Sequence, residues 1–345
     1  MPSTSRPIID VHGHFTTAPP ELAAVRVAQL TELNRPRKQT LKLSDDQVAA
    51  AVQGQLQAMR ERGITHLLFS PTAARMGHDI GDERVSLYWS QVNNDLIAQV
   101  CRLFPDQFSG VCQLPQSPGV SPKNCLEELD RCILELGFVG CNINPDVSGG
   151  VPPLTPPLSD EWWYPLWERM VELDVPGMIH ASATRVPSMH LNGSHYIAQD
   201  YAAVVELCAS RVFEDFPTLR LIVPHGGGGI PFQYNRQRAL HLGGYLPTTT
   251  PFEQAVSHLY FDTAVYDADS LDMLFRKMGP RNVLFGSEMF GTAKAIDPQT
   301  GRTFDDIIPM IEQSQVLTDS DKDDIFWRNA LRVYPRLKKR LSLGA

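Results

Sequence analysis

Eight short runs of apolar and β-branched residues recur along the 345-residue chain, and longer stretches with helical spacing separate them. The runs are "RPIIDVHGH" (6–14), "THLLFSP" (65–71), "FSGVCQLP" (108–115), "FVGCNINP" (138–145), "VPGMIHAS" (175–182), "LRLIVPHGG" (219–227), "HLYFDTAV" (258–265) and "NVLFGSEM" (282–289). Near-continuous apolar character suits parallel strands that are covered on both faces. The segments between them carry helix punctuation. "SDDQVAAAVQGQLQAMRERG" opens on Ser44, whose hydroxyl suits an N-cap, and stops at Gly63. "SPKNCLEELDRCILELG" stops at Gly137, and "SDEWWYPLWERMVELDVP" and "YAAVVELCASRVFEDFP" follow. Eight consecutive strand–helix units predict an α/β fold, a (β/α)8 TIM-type barrel forming a single domain over residues 1–345. A doubly wound open sheet fits less well, because no glycine-rich dinucleotide fingerprint follows the first run.

Two connections are long. Residues 15–43 follow strand one and contain the basic run "NRPRK"; residues 183–200, "ATRVPSMHLNGSHYIAQD", follow strand five. In a barrel both fall at the C-terminal mouth, where active sites are built. The Pro- and Gly-rich stretch 145–160 reads as a semi-rigid lid or spacer.

A net charge of −8 and a pI near 5.7 give no general attraction to nucleic acid or an anionic membrane, so an anionic substrate must be gathered locally. "MPSTSRPIID" lacks the apolar stretch of a signal peptide, and no run of about 18 apolar residues marks a transmembrane helix. The cysteines at 101, 112, 125, 132, 141 and 208 form no C-x-x-C pair and read as buried free thiols of a cytoplasmic protein.

The polar residues at the strand ends narrow the chemistry. Alternate side chains of a strand face one way, so His12 and His14 present two imidazoles together. His180 ends strand five, His225 strand six and Glu288 strand eight. Ligands from several strands converging at one barrel mouth suit a metal site. His66 starts strand two, at the opposite end; His241 and His258 lie near a helix end and a strand start. His78, His190 and His195 fall on mouth-side loops, where contact with solvent or substrate is expected. Asp10 shares the facing of His12 and reads either as the orienter of a ligand histidine or as a satisfied barrel carboxylate.

The set "DVHGH", "GMIH", "VPHGGGGIP" and "VLFGSEMF" resembles the metal-dependent amidohydrolase superfamily over almost the whole chain. The branch it looks most like holds aminocarboxymuconate-semialdehyde decarboxylase and related nonoxidative decarboxylases. That branch normally reads G-S-D in the last motif, with the aspartate on zinc; here the motif is "GSE". With "FSPTAARMG" and "HLNGSHY", this departure looks like the hydratases that serve protocatechuate and gallate catabolism through 4,5-ring cleavage. The resemblance implies one Zn2+ per chain, held by His12, His14, His180 and Glu288, with His225 as an acid/base or polarising group. Binuclear members usually carry a carboxylated lysine after strand four; here Asn142 and Asn144 stand there.

The implied activity is a hydro-lyase acting on a conjugated keto tricarboxylate. Glu288 would take the proton of the attacking water, and His225 would protonate the neighbouring carbon or steady the enolate. Arg75, after strand two, is the candidate carboxylate clamp; Asn192, His195 and Tyr196 are candidates on the strand-five loop. In related enzymes that loop approaches a neighbouring subunit, which implies a homo-oligomer, dimer or higher, and lets Tyr196 reach a partner's site. Arg35, Arg37 and Lys38 are a further cationic run, although such runs usually form a solvated face. The rival readings are a zinc-dependent decarboxylase, a lactone or carbon–carbon hydrolase, and a non-catalytic ligand-binding barrel.

Overall fold

The computed structural model describes residues 6–190 and 193–341. Eight strands form one sheet: β1 (Ile9–His14), β2 (His66–Ser70), β3 (Phe108–Gln113), β4 (Gly140–Ile143), β5 (Gly177–Ile179), β6 (Leu221–Val223), β7 (Leu259–Asp262) and β8 (Val283–Leu284). Each pairs in parallel with its neighbour in sequence, in the order β1-β2-β3-β4-β5-β6-β7-β8. Two backbone hydrogen bonds close the ring: Val11 N–H donates to the Phe285 carbonyl and Glu288 N–H to the His12 carbonyl, each at 2.9 Å. The second bond belongs to a residue of the expected site, so barrel closure and site assembly are one event. Among the described residues no helix is long and apolar enough to cross a membrane.

The interior is packed. Ile9, Val11, Leu68, Val111, Val139, Met178, Ile222 and Leu284 meet inside the ring, joined by Val333, Tyr334 and Leu337 from the C-terminal helices. Val11, Leu68, Val111, Met178 and Tyr334 lie directly beneath His12 and His14 and form an apolar floor. The outward strand residues, among them Phe69, Phe108, Ile143, Ile179, Val223 and Phe261, pack against the surrounding helices. All six cysteines are free and buried, as their apolar contexts suggest.

The helix expected from Ser44 to Gly63 divides at Val52 into Asp45–Ala51 and Gln53–Arg62. Its ends are as read: Ser44 and Gln47 form a reciprocal capping box, and Gly63 closes the second helix at φ +74. The strand-five connection departs further from expectation. A helix runs Ser194–Cys208, starting well before Tyr201, and Pro187–His190 is helical too. The buried positions of the longer helix are His195, Asp200, Ala203, Val204, Leu207 and Cys208. Two polar residues on the inner face interrupt the apolar period that would have marked the helix. The connection after β1 likewise holds a helix, Pro20–Thr31. Stretch 145–160 has neither strand nor helix, but Asp146 pins it by accepting from Ser148 N–H at 3.1 Å and Thr155 Oγ1 at 3.2 Å.

Phe69 is fully buried, with its ring 5.2 Å from Phe15 and 5.0 Å from Phe108. Phe69→Ala is expected to cost about 3–5 kcal/mol, the range for an aromatic truncated in a packed core. Urea unfolding would show this as a lower midpoint at constant slope; a midpoint equal to that of the wild type contradicts the packing described.

Candidate metal centre at the barrel mouth

His12, His14 and His180 each carry a hydrogen-bond partner on Nδ1. His12 Nδ1 donates to Asp262 Oδ2 at 2.6 Å. His14 Nδ1 lies 2.8 Å from Ser70 Oγ, and the Ser70 hydroxyl proton is directed to the Gly13 and Pro71 carbonyls, so His14 is the donor. His180 Nδ1 donates to the Ala181 carbonyl at 2.9 Å. A neutral imidazole protonated on Nδ1 bears a bare lone pair on Nε2. These lone pairs meet: Nε2 of His14 lies 3.0 Å from that of His12 and 3.1 Å from that of His180. Burial, then the neighbouring histidines, holds the His14 and His180 pKa values well below the usual range, so these rings are neutral. Converging lone pairs without a proton between them repel, and a cation at their focus removes that repulsion. The residues fit a metal ion on this ground.

Two further groups face the same point. His225 follows β6 at φ +51; its Nδ1 donates to Asp200 Oδ2 at 2.7 Å, and its Nε2 lies 3.8 Å from Glu288 Oε2. Burial opposes a charge on His225, but Asp200, Glu288 and Asp262 outweigh it and push its pKa up to about 10. Glu288 follows β8 at φ +50, and its Oε2 accepts from the Tyr266 hydroxyl at 2.6 Å. Ligand atoms of His12, His180, His225 and Glu288 all lie within 4.8 Å of one another. With His14, the five residues read at the strand ends are therefore brought together. The loops carrying them are strained: His225, Tyr266, Glu288 and Phe290 all have positive φ, at a cost on the order of 1–2 kcal/mol each.

Asp10 is the satisfied carboxylate of the two readings. It accepts from Ser287 Oγ at 2.5 Å, Ser287 N–H at 3.1 Å and His12 N–H at 3.0 Å, and its pKa rises to about 6 because burial outweighs these bonds. It thus ties β1 to the loop that carries Glu288. The carboxylate that orients a ring is Asp262, whose other oxygen accepts from Gly226 N–H at 3.2 Å and Ala264 N–H at 3.1 Å. Its signal was an aspartate closing the apolar run "LYFD" at the same barrel end. Asp200, Tyr266 and Lys294 were also missed. Asn142 donates to Ser70 Oγ at 3.2 Å, beneath His14.

A 790 Å³ cavity opens over the cluster, lined by His14, His180, His225, Glu288, Tyr196, Tyr266, Arg75 and Lys294. Arg75 and Lys294 are exposed cations with no ion-pair partner among the described residues. Tyr196 lines the cavity of its own chain, its ring 6.1 Å from His180. Asn192 and the His190 side chain lie outside the described residues. His78 and His195 are buried rather than solvent-facing: His78 Nδ1 is 3.5 Å from Ser86 Oγ, and His195 Nε2 donates to the Ser182 carbonyl at 2.8 Å. Arg35, Arg37 and Lys38 are exposed away from the cavity, Arg37 pairing with Glu32 at 3.5 Å. His66 sits at the opposite barrel end, bonded to the Asp106 carbonyl at 3.0 Å and Ser109 Oγ at 2.9 Å.

A parallel eight-stranded barrel with a histidine- and carboxylate-lined mouth defines the class of metal-capable barrel enzymes. The amidohydrolase family model matches residues 9–336, and the chain belongs to that family. It is 42% identical over 337 residues, 97% of its length and 98% of the relative's, to 2-keto-4-carboxy-3-hexenedioate hydratase of a Sphingobium species. The crystal structure of 4-oxalomesaconate hydratase from Rhodopseudomonas palustris superposes with a TM-score of 0.88 at 42% identity, covering 97% of this chain and 98% of that one. A dihydroxybenzoic acid decarboxylase from a Polaromonas species, solved with bound manganese, shares the fold at a TM-score of 0.73 and 20% identity, over 97% and 99% of the two chains.

Asp262 fixes the His12 tautomer, and loss of such a partner typically weakens metal affinity about 10–100-fold. Asp262→Asn is expected to do so here, read by titrating metal-free protein with zinc against a chromogenic chelator. Equal affinity in the two proteins would remove Asp262 from this role.

Proposed function

We propose that the protein is a metal-dependent hydro-lyase that adds water to the double bond of 4-oxalomesaconate, or its keto tautomer, to give 4-carboxy-4-hydroxy-2-oxoadipate. The observation that carries this reading is the placement of Glu288 and His225 on adjoining walls of the cavity, 3.8 Å apart, beside three inward-facing imidazoles. The full-length likeness to two hydratases at 42% identity supports the same chemistry. His12, His14, His180 and Glu288 would hold one ion. Three imidazoles and one carboxylate suit zinc. When bound, the ion would lower the pKa of a coordinated water and polarise the substrate.

The residues themselves divide the addition. Glu288 accepts a proton from the attacking water as its oxygen joins one alkene carbon. His225, held as an imidazolium by Asp200, gives a proton to the neighbouring carbon. Glu288 then gives its proton to solvent and His225 takes one back, which restores both groups and leaves the sum as one water added. Arg75 and Lys294 offer charge to the substrate carboxylates, a need the net charge of −8 does not otherwise meet. We read the chain as one catalytic domain. Six buried thiols support a cytoplasmic setting, and exposed Phe232, Leu242 and Tyr245 support a homo-oligomer.

Purified protein should carry about one equivalent of zinc per chain. Glu288→Gln keeps an oxygen for the ion but cannot act as a base. Zinc analysis paired with initial rates should find near-normal metal and hydration slowed about 100- to 10,000-fold. Activity lost only in proportion to zinc would make Glu288 a ligand alone.

Arg75 and Lys294 are exposed, so each is expected to matter less than a buried clamp. Arg75→Met or Lys294→Met should lower kcat/KM by about 1.5–3 kcal/mol, the scale of a charge-assisted hydrogen bond, with zinc unchanged. Steady-state kinetics with kcat/KM unchanged in both variants would leave the tricarboxylate without the cations assigned to it.

A further inference from the structure

Glu288 is asked to face an ion and to take a proton, and a carboxylate has two oxygens for the two tasks. Left to itself, a carboxylate beside a divalent ion can turn both oxygens toward it, and then neither is available as a base. The Tyr266 hydroxyl donates to Glu288 Oε2 at 2.6 Å. The direction is fixed, because an ionised carboxylate only accepts. The distance is that of a short charge-assisted bond. Among the described residues nothing donates to Oε1. His225 Nε2, at 3.8 Å from Oε2, is too far to compete for it as a direct hydrogen bond.

The backbone around this contact is built for it. Tyr266 stands at φ +64 and Glu288 at φ +50, a region that costs any residue with a Cβ. The two side chains that meet are thus both delivered by strained positions on separate loops, after β7 and after β8. Gly291 packs against the Glu288 side chain. A Cβ there would stand 2.8 Å from the Glu288 carbonyl oxygen, 2.9 Å from its Cδ and 3.0 Å from its Cγ, so a side chain there would meet both the Glu288 main chain and its arm. The Glu288 N–H is fixed to the His12 carbonyl at 2.9 Å. Main chain, glycine and phenol together leave the carboxylate one free oxygen.

We propose that Tyr266 is a positioning residue that separates the duties of the two Glu288 oxygens, holding Oε2 off the ion as the base and leaving Oε1 for the ion. Turning both oxygens to an ion would break the phenol bond, so the phenol keeps Glu288 a one-oxygen ligand and preserves room for water. This rests on the reading of Glu288 above as ligand and base.

Tyr266→Phe removes a single oxygen and keeps the ring. The variant and the wild type would be compared as zinc proteins for kcat and KM, and as cobalt(II)-substituted proteins for visible absorption, which weakens as cobalt gains ligands. The expected result is full metal content, KM within about twofold, kcat lower by about tenfold or more, and weaker cobalt absorption in the variant. Three results would overturn the proposal: kcat and the cobalt spectrum both unchanged, activity lost only in step with metal, or a raised KM at constant kcat, which would make Tyr266 a substrate contact. A wild type that binds cobalt but hydrates nothing would sink the hydratase reading, while the cobalt comparison would still report on Tyr266.

Discussion

Three imidazole lone pairs crowded at one point, that of His14 3.0 Å from His12 and 3.1 Å from His180, are the constraint on which the barrel mouth depends. Each ring is turned by a partner on its far nitrogen, and the partners come from different strands: Asp262 from β7 for His12, Ser70 from β2 for His14, and the Ala181 carbonyl beyond β5 for His180. No local segment can make this arrangement. It exists only once β1, β2, β5 and β7 share one ring, so the cost of crowding the lone pairs falls on the folded state. The apolar floor of Val11, Leu68, Val111, Met178 and Tyr334 prevents the rings from relaxing downward. An ion at the focus would turn the repulsion into attraction, and metal binding would then add directly to folding stability.

Around this centre the buried carboxylates are divided by what they touch. Asp10 accepts three hydrogen bonds from neutral donors and no ring, and burial raises its pKa to about 6. Asp262 holds the His12 ring and two backbone amides. Among the described residues Asp200 hydrogen-bonds His225 alone; burial raises its pKa to about 6 although the imidazolium opposes the rise. The Asp200 carboxylate raises the His225 pKa and so favours the charged pair. A buried ion pair of this kind is weak evidence for stability. It favours a proton on His225 at the cavity wall.

The strands and the five polar strand ends were legible because both are local: apolar runs bounded by helix caps, and histidines or a glutamate closing them. The helical punctuation at Ser44 and Gly63 was legible for the same reason, while the break at Val52 was not, because the glycine beside it, Gly54, lies inside the second helix and does not mark its edge. The helix Ser194–Cys208 was hidden by its polar inner face. His195 and Asp200 occupy its buried face, where the pattern calls for apolar residues. Tyr266 and Lys294 were illegible for another reason. A tyrosine in "AVYDAD" has no spacing relation to Glu288, since the two meet only through loops that leave adjacent strands. Asp10 was read with the right neighbour and an open role, which only the distance to Ser287 could decide.

The glutamate of "GSE" makes sense as a matter of reach. β8 ends at Leu284, and Glu288 leaves a strained loop beyond it. Its carboxylate must come near the imidazoles and still receive the Tyr266 hydroxyl. An aspartate on the same Cα would give up one carbon–carbon bond, about 1.5 Å. It would then lose either the phenol or the approach to the rings, because the loop is tied at Glu288 N–H to the His12 carbonyl and cannot follow. Gly291 completes the case, since the space its missing Cβ leaves is occupied by Glu288 Cγ and Cδ, the atoms of the longer arm. The longer side chain, the bare glycine and the phenol therefore form one device, and a change to any one of them alone disturbs the other two.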